Sequence, residues 1–176
     1  MQAVAAVPDQ DWVRLTQSQF EPVPVTPSFW IVPTWHDVPP EARTVIRLDP
    51  GLAFGTGTHP TTPMCLRWIA ANAPVGPRVL AYGCGSGILA IGAALHGAAQ
   101  VDAVDIDEAA VGATQDNAVA NGVTLSAGLP DAAQGVYDTV LANILATTLK
   151  VLAPLLCQHV AAGGALVLAG VLERQT

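Results

Sequence analysis

The chain has 176 residues, 51% of them hydrophobic and only 12% charged, with a formal net charge of −7. That length accommodates one ordinary domain with a single sizeable core, and the apolar content excludes disorder as a description of the whole. The acidic balance disfavours a broad phosphate-binding face and fits a basic protein partner better than nucleic acid or a membrane.

Residues 1–43 are read as a linker packed on the core. Prolines recur there at Pro8, Pro22, Pro24, Pro27, Pro33, Pro39 and Pro40, which forbids long helices, while Trp12, Trp30 and Trp35 imply that the segment packs on something. A short strand is expected near Phe29 to Val32. From Thr44 the pattern alternates between strand and helix. Thr44 to Leu48 reads as a strand, Asp49 to Pro60 as a loop rich in Gly and Thr, and Thr61 to about Asn72 as a helix. Pro77 to Tyr82 reads as a buried strand that runs at once into Gly83-Cys84-Gly85-Ser86-Gly87, and the helix Ile88 to His96 is closed by Gly97. A strand from Val101 to Asp105 leads to a helix from about Glu108 to Asn121, stopped by Gly122. Val123 to Ser126 is a weak third strand and Tyr137 to Ala142 a fourth. A helix from Leu145 to about Val160 and a turn at Gly163-Gly164 precede a fifth strand, Ala165 to Ala169.

Four stretches carry chemistry. Gly83, Gly85 and Gly87 end a strand in glycines, which lets a ligand approach the backbone without Cβ clashes. The dehydrogenase form GxGxxG would need glycine where Ile88 stands, so the spacing is GxGxG, the methyltransferase version. About 20 residues on, at the end of the next strand, Asp105 can accept two hydrogen bonds from a ribose diol, whereas Asp107 is placed as a helix N-cap. The apolar strand Tyr137 to Ala142 delivers Asn143 to the edge where open α/β sheets bind ligands, and its amide oxygen can aim an attacking amine; a plain helix cap is the competing role. The Asp49 to Thr62 loop could fold over a polar ligand, with Thr62 near a helix N-terminus facing a carboxylate. His59 in that loop is a candidate proton acceptor or a structural residue. Cys65, Cys84 and Cys157 lie far apart with no histidine at ligand spacing, so neither a disulfide framework nor a metal site is expected. No run reaches the roughly 18 apolar residues of a membrane span, and the start lacks a signal-peptide pattern, so a soluble, cytoplasmic chain is expected.

These motifs, in this order and at these separations, resemble the bacterial ribosomal protein L-eleven methyltransferase family. The loop from Leu48 to Thr62, Gly83 to Ile91, Val104-Asp105-Ile106-Asp107 and Ala142-Asn143-Ile144-Leu145-Ala146 carry the resemblance, and the lead with Trp12, Phe20, Trp30, Pro33 and Trp35 looks like that family's interdomain linker. It implies a Rossmann-like class I methyltransferase sheet, mostly parallel, with helices on both faces, over residues 44–176. It implies S-adenosyl-L-methionine as cofactor, contacted at Thr62, Gly83, Asp105 and Asn143, and methylation of lysine and N-terminal amino groups of a basic ribosomal protein. Two departures stand out. The family usually carries an acidic residue where this chain has Ala81, a loss worth about 1–3 kcal/mol of cofactor binding. The family also has a substrate-capturing N-terminal domain and further strands, so the chain reads as a fragment trimmed at both ends, lacking the last strands of the sheet.

The expected mechanism needs no metal: Asn143, with the backbone carbonyl after it, orients a neutral amine, and His59 or water takes its proton. Two other readings stay open, a methyltransferase for a nucleic-acid or small-molecule amine and a non-catalytic cofactor-binding fragment. A nicotinamide dehydrogenase is disfavoured by the GxGxG spacing.

Overall fold

A computed structural model describes residues 20–49, 59–73 and 76–171. The start of the linker with Trp12, most of the threonine-rich loop (residues 50–58) and the last five residues lie outside the described residues. Eight strands and four α-helices are described. They run β1 (Val23–Thr26), β2 (Phe29–Val32), β3 (Thr44–Arg47), α1 (Thr61–Ala71), β4 (Arg78–Tyr82), α2 (Ile88–Leu95), β5 (Gln100–Val104), α3 (Glu108–Ala120), β6 (Ser126–Gly128), β7 (Tyr137–Asn143), α4 (Ala146–Gln158) and β8 (Val160–Ala169).

The main sheet has the order β6-β5-β4-β7-β8, and every neighbouring pair in it is parallel. Such a sheet must be covered on both faces, and alternation along β4 shows how. Val79 and Ala81 join one apolar cluster with Leu66 and Ile69 of α1 and Ile91 of α2, while Leu80 and Tyr82 join another with Leu149 and Leu156 of α4. The chain leaves β4 towards β5 and β6, then crosses back to place β7 on the other side. The strand order therefore reverses between β4 and β7, and ligands of open α/β sheets bind at the carboxyl ends beside that reversal.

Four differences from the sequence reading have local causes. β1 lies within the proline-rich lead, where Pro24 is accommodated because β1 is the edge of a second sheet, order β1-β2-β3. β3 pairs in parallel with β2 rather than with the main sheet, so the boundary expected between residues 43 and 44 separates two hydrogen-bonded strands. The small sheet nevertheless shares the main core, since Phe29, Ile31 and Ile46 pack in the same cluster as Val79 and Leu66. β6 begins at Ser126, not Val123, because Val123 and Leu125 pack against the core before the strand starts. Gly163-Gly164 is not a turn ahead of the last strand but a bulge inside it: two steps along β7 (Tyr137 to Thr139) match five along β8 (Val160 to Ala165). Among the described residues, no helix is long and apolar enough to cross a membrane.

Candidate cofactor site

The carboxyl ends of β4, β5 and β7 open into a cavity of about 560 Å³. His59, Thr62, Gly83, Gly85, Asp105 and Asn143 all line it, so residues spread over 85 positions of sequence, from 59 to 143, converge on one crevice. Gly87 does not reach the wall. It is the N-cap of α2 and turns its back on Thr114 of α3.

The glycine spacing has a backbone cause. Gly83, Gly85 and Gly87 have φ of +70°, +56° and +81°, the left-handed region that side chains resist. A Cβ on Gly83 would also overlap the Ile144 side chain across the crevice. The bend that follows turns the loop's amides into the protein. The N–H groups of Gly83 and Cys84 both donate to the Val104 carbonyl (2.8 and 3.0 Å), and Gly87 N–H donates to the Cys84 carbonyl (2.8 Å). Gly85 N–H donates to Asp105 Oδ2 at 2.9 Å, and Asp105 Oδ1 accepts from Asp107 N–H at 3.1 Å. Each carboxylate oxygen has two acceptor positions, so Asp105 holds the loop and keeps one acceptor per oxygen for a ligand diol. Asp107 caps α3 as expected, accepting from Ala109 N–H at 2.9 Å.

On the other side of the crevice, Asn143 Nδ2 donates to Thr62 Oγ1 at 3.3 Å. That bond takes one of the two amide protons to the buried Thr62, and the oxygen is an acceptor that a ligand can use. His59 precedes Pro60, the N-cap of α1, and its Nδ1 is 2.7 Å from Thr61 Oγ1 and accepts from Thr61 N–H at 3.4 Å. Cys84 also reaches the wall, and burial raises its thiol pKa above the ordinary value. Ala81 lies in the floor, flanked in the sheet by Ala103 and Leu141 and 2% exposed.

Several wall residues were not singled out from sequence. Ile106 follows Asp105 by one step, Leu145, Thr148 and Leu152 fall along one side of α4, and Gly170 follows β8 with φ of +87°. A Cβ on Gly170 would overlap the carbonyl oxygen of Ile144, so glycine is what allows the two backbones to approach here. Its position just past the carboxyl end of a parallel strand was the signal available in the sequence.

Comparison with known proteins places the chain in a family. A relative from Polaromonas sp., named ribosomal protein L11 methyltransferase, is 74% identical over 177 residues, covering 98% of this chain and 59% of its own length. One of the same name from Thiobacillus denitrificans is 57% identical, with 98% of this chain and 58% of its own length covered. The chain thus spans about three fifths of these relatives. The crystal structure of a ribosomal protein L11 methylase from Lactobacillus delbrueckii subsp. bulgaricus superposes with a TM-score of 0.80 at 35% identity, covering 89% of this chain and 83% of that one. The family profile described as "Ribosomal protein L11 methyltransferase (PrmA)" matches residues 1–176, and the chain belongs to that family.

Proposed function

We propose that this chain carries the S-adenosyl-L-methionine site and the methyl-transfer centre of an enzyme that methylates lysine and N-terminal amino groups of ribosomal protein L-eleven, acting in the cytoplasm. Residues 44–176 hold the cofactor, and residues 1–43 link them to the part of the protein that captures the substrate. The observation that carries this reading is the inward turn of the glycine-loop amides. A dinucleotide site built on the same strand–turn–helix needs those N–H groups for a pyrophosphate. Here Gly83, Cys84, Gly85 and Gly87 have spent theirs on Val104, Asp105 and Cys84. A loop of this kind suits a nucleoside without phosphates, its sugar on Asp105 and its amino-acid tail over bare glycine backbone.

When bound, the cofactor supplies a sulfonium methyl group, a strong donor that needs no metal. The residues of the chain must then present a neutral amine in line and keep water out. A lysine amine with pKa near ~10.4 is mostly protonated at neutral pH. The Asn143 oxygen and the Ile144 carbonyl each accept one N–H of the incoming amine and so direct its lone pair into the cavity. His59 lines the crevice and lies beside Thr61, and loss of the ammonium proton falls to His59 or to water.

Calorimetric titration of the intact protein with S-adenosylmethionine, followed by transfer of labelled methyl groups to the purified ribosomal protein, tests the reading. Saturable binding, label on lysine and N-terminal amines, and no binding of NADH are expected. Tight NADH binding would overturn the cofactor assignment. Cofactor binding with label confined to another amine would overturn the substrate assignment.

A further inference from the structure

The carbonyl side of the glycine loop is held from beneath by α3. The Thr114 side chain is fully buried, and its Oγ1 lies 3.2 Å from both the Gly85 carbonyl oxygen and Cys84 Sγ. One hydroxyl proton is shared between these two acceptors, of which the carbonyl is the stronger. One turn on, Asn117 Nδ2 donates to the Ser86 carbonyl at 2.8 Å. The methyl of Thr114 also fills the space behind Gly87, where an added Cβ would come within 2.9 Å of it. Two consecutive carbonyls of the loop, those of Gly85 and Ser86, are thus tied to one helix, while the N–H of Gly85 ahead of them is tied to Asp105.

We propose that Thr114 and Asn117 are positioning residues for cofactor binding: from α3 they fix the height and tilt of residues 84–87, and through them the surface on which the amino-acid end of S-adenosylmethionine lies. The inference rests on the cofactor reading above. Neither residue lines the cavity, so each acts only through the loop. The arrangement also couples the two halves of the cofactor site. Asp105, which receives the sugar, and α3, which is capped by Asp107 two residues later, both grip the same glycine turn. Any slackening of α3 against the loop is felt at both ends of the ligand.

The residue at position 114 allows shape and hydrogen bonding to be separated. Thr114→Val keeps the methyl behind Gly87 and removes the hydroxyl, whereas Thr114→Ser keeps the hydroxyl and removes the methyl. Affinity of the intact protein for S-adenosylhomocysteine is measured by calorimetry well below the melting temperature. Amide hydrogen exchange of residues 84–87 is measured in the ligand-free protein. Thr114→Val is expected to weaken binding about tenfold and to speed loop exchange, with Thr114→Ser within about threefold of the wild type. A valine variant that binds within about twofold of the wild type, or a serine variant as weak as valine, overturns the proposal. If Thr114→Val does not fold, Asn117→Asp decides: it replaces a donor to the Ser86 carbonyl by an acceptor, and wild-type affinity there is equally fatal. Should the wild-type protein bind no S-adenosylhomocysteine, the cofactor reading fails, and unchanged loop exchange in the variants would show separately that α3 does not hold the turn.

Discussion

Replacing Asp105 by asparagine tests the centre of the site, because the structure sets a demand that no amide can meet. Both oxygens of the carboxylate face backbone donors, Gly85 N–H on Oδ2 and Asp107 N–H on Oδ1. Asparagine offers one oxygen and one NH2 group, so in either orientation a donor faces a donor. The loop or the start of α3 therefore loses its bond, costing about 1 kcal/mol, and the ligand diol loses one charged acceptor, costing about 2 kcal/mol more. The sum of about 3 kcal/mol corresponds to roughly 150-fold weaker cofactor binding. The assay is calorimetric titration of the intact protein with S-adenosylhomocysteine, with thermal melting in parallel. Asp107→Asn is the control: asparagine caps helices about as well as aspartate, so its affinity and melting point stay close to the wild type. An Asp105→Asn protein that binds within about threefold of the wild type, or a control equally impaired, would refute the reasoning.

Other predictions follow from single contacts. Asn143→Ala removes the acceptor assigned to the amine and the partner of Thr62, and should lower methyl-transfer kcat about 100-fold while cofactor affinity changes far less; full turnover in a labelled-methyl assay would remove Asn143 from the mechanism. Ala81→Asp should tighten S-adenosylmethionine binding by roughly 5- to 150-fold, read by titration, since it restores a charged acceptor in the floor of the cavity. Tyr137→Phe deletes a buried hydroxyl that donates to Asp102 at 2.8 Å and accepts from Gln134 N–H at 3.1 Å, and should destabilise the fold by about 1–3 kcal/mol in urea melts. Because Tyr137 begins the strand that Asn143 ends, some 20 Å away, cofactor affinity should not move. Burial pushes the Cys65 thiol from 9.0 to about 11, so folding favours its protonated form. Its contribution is complete below pH 9 and is lost as pH rises towards 11, at about 1.4 kcal/mol per pH unit, which a comparison of wild type and Cys65→Ala urea melts across that window should reveal.

The parallel sheet was readable because β4 and β5 are short apolar runs that end in the glycine turn and in Asp105, each followed by a helix with a clear stop. Gly97 and Gly122 mark those stops, and both have positive φ, 91° and 65°. What escaped was set by partners distant in sequence. Pro22 and Pro24 argue against a strand anywhere except an edge, and only the pairing of Val23 with Ile31 shows that β1 is one. β3 resembles the first strand of the βα series in composition, yet it pairs with β2, a choice that no local pattern encodes. The Gly163-Gly164 pair has the chemistry of a turn, and only the register against β7 reveals a bulge.

The candidate site was legible where one residue both lines the cavity and sits in a motif, as Asp105 and Asn143 do. It was illegible where a residue acts by holding another. α3 has almost no apolar stripe, because its inward positions are alanines and hydrogen-bonding side chains: Ala110, Thr114, Asn117, Ala118 and Asn121. At helical spacing, Thr114, Asn117 and Asn121 give their protons in turn to the carbonyls of Gly85, Ser86 and Arg47. Asn121 also accepts Arg47 N–H at 2.7 Å, pairing with β3 as a neighbouring strand would. A helix that packs against exposed backbone needs donors where one that packs against side chains needs leucine. Periodicity of hydrophobic residues cannot register such a face, although it ties together the glycine turn and the strand that leads to the threonine-rich loop. Ala81 offers the loop no hydrogen bond from the floor of the cavity, so the bonds that hold the turn come from Asp105 at its side and from Thr114 and Asn117 of α3 beneath it.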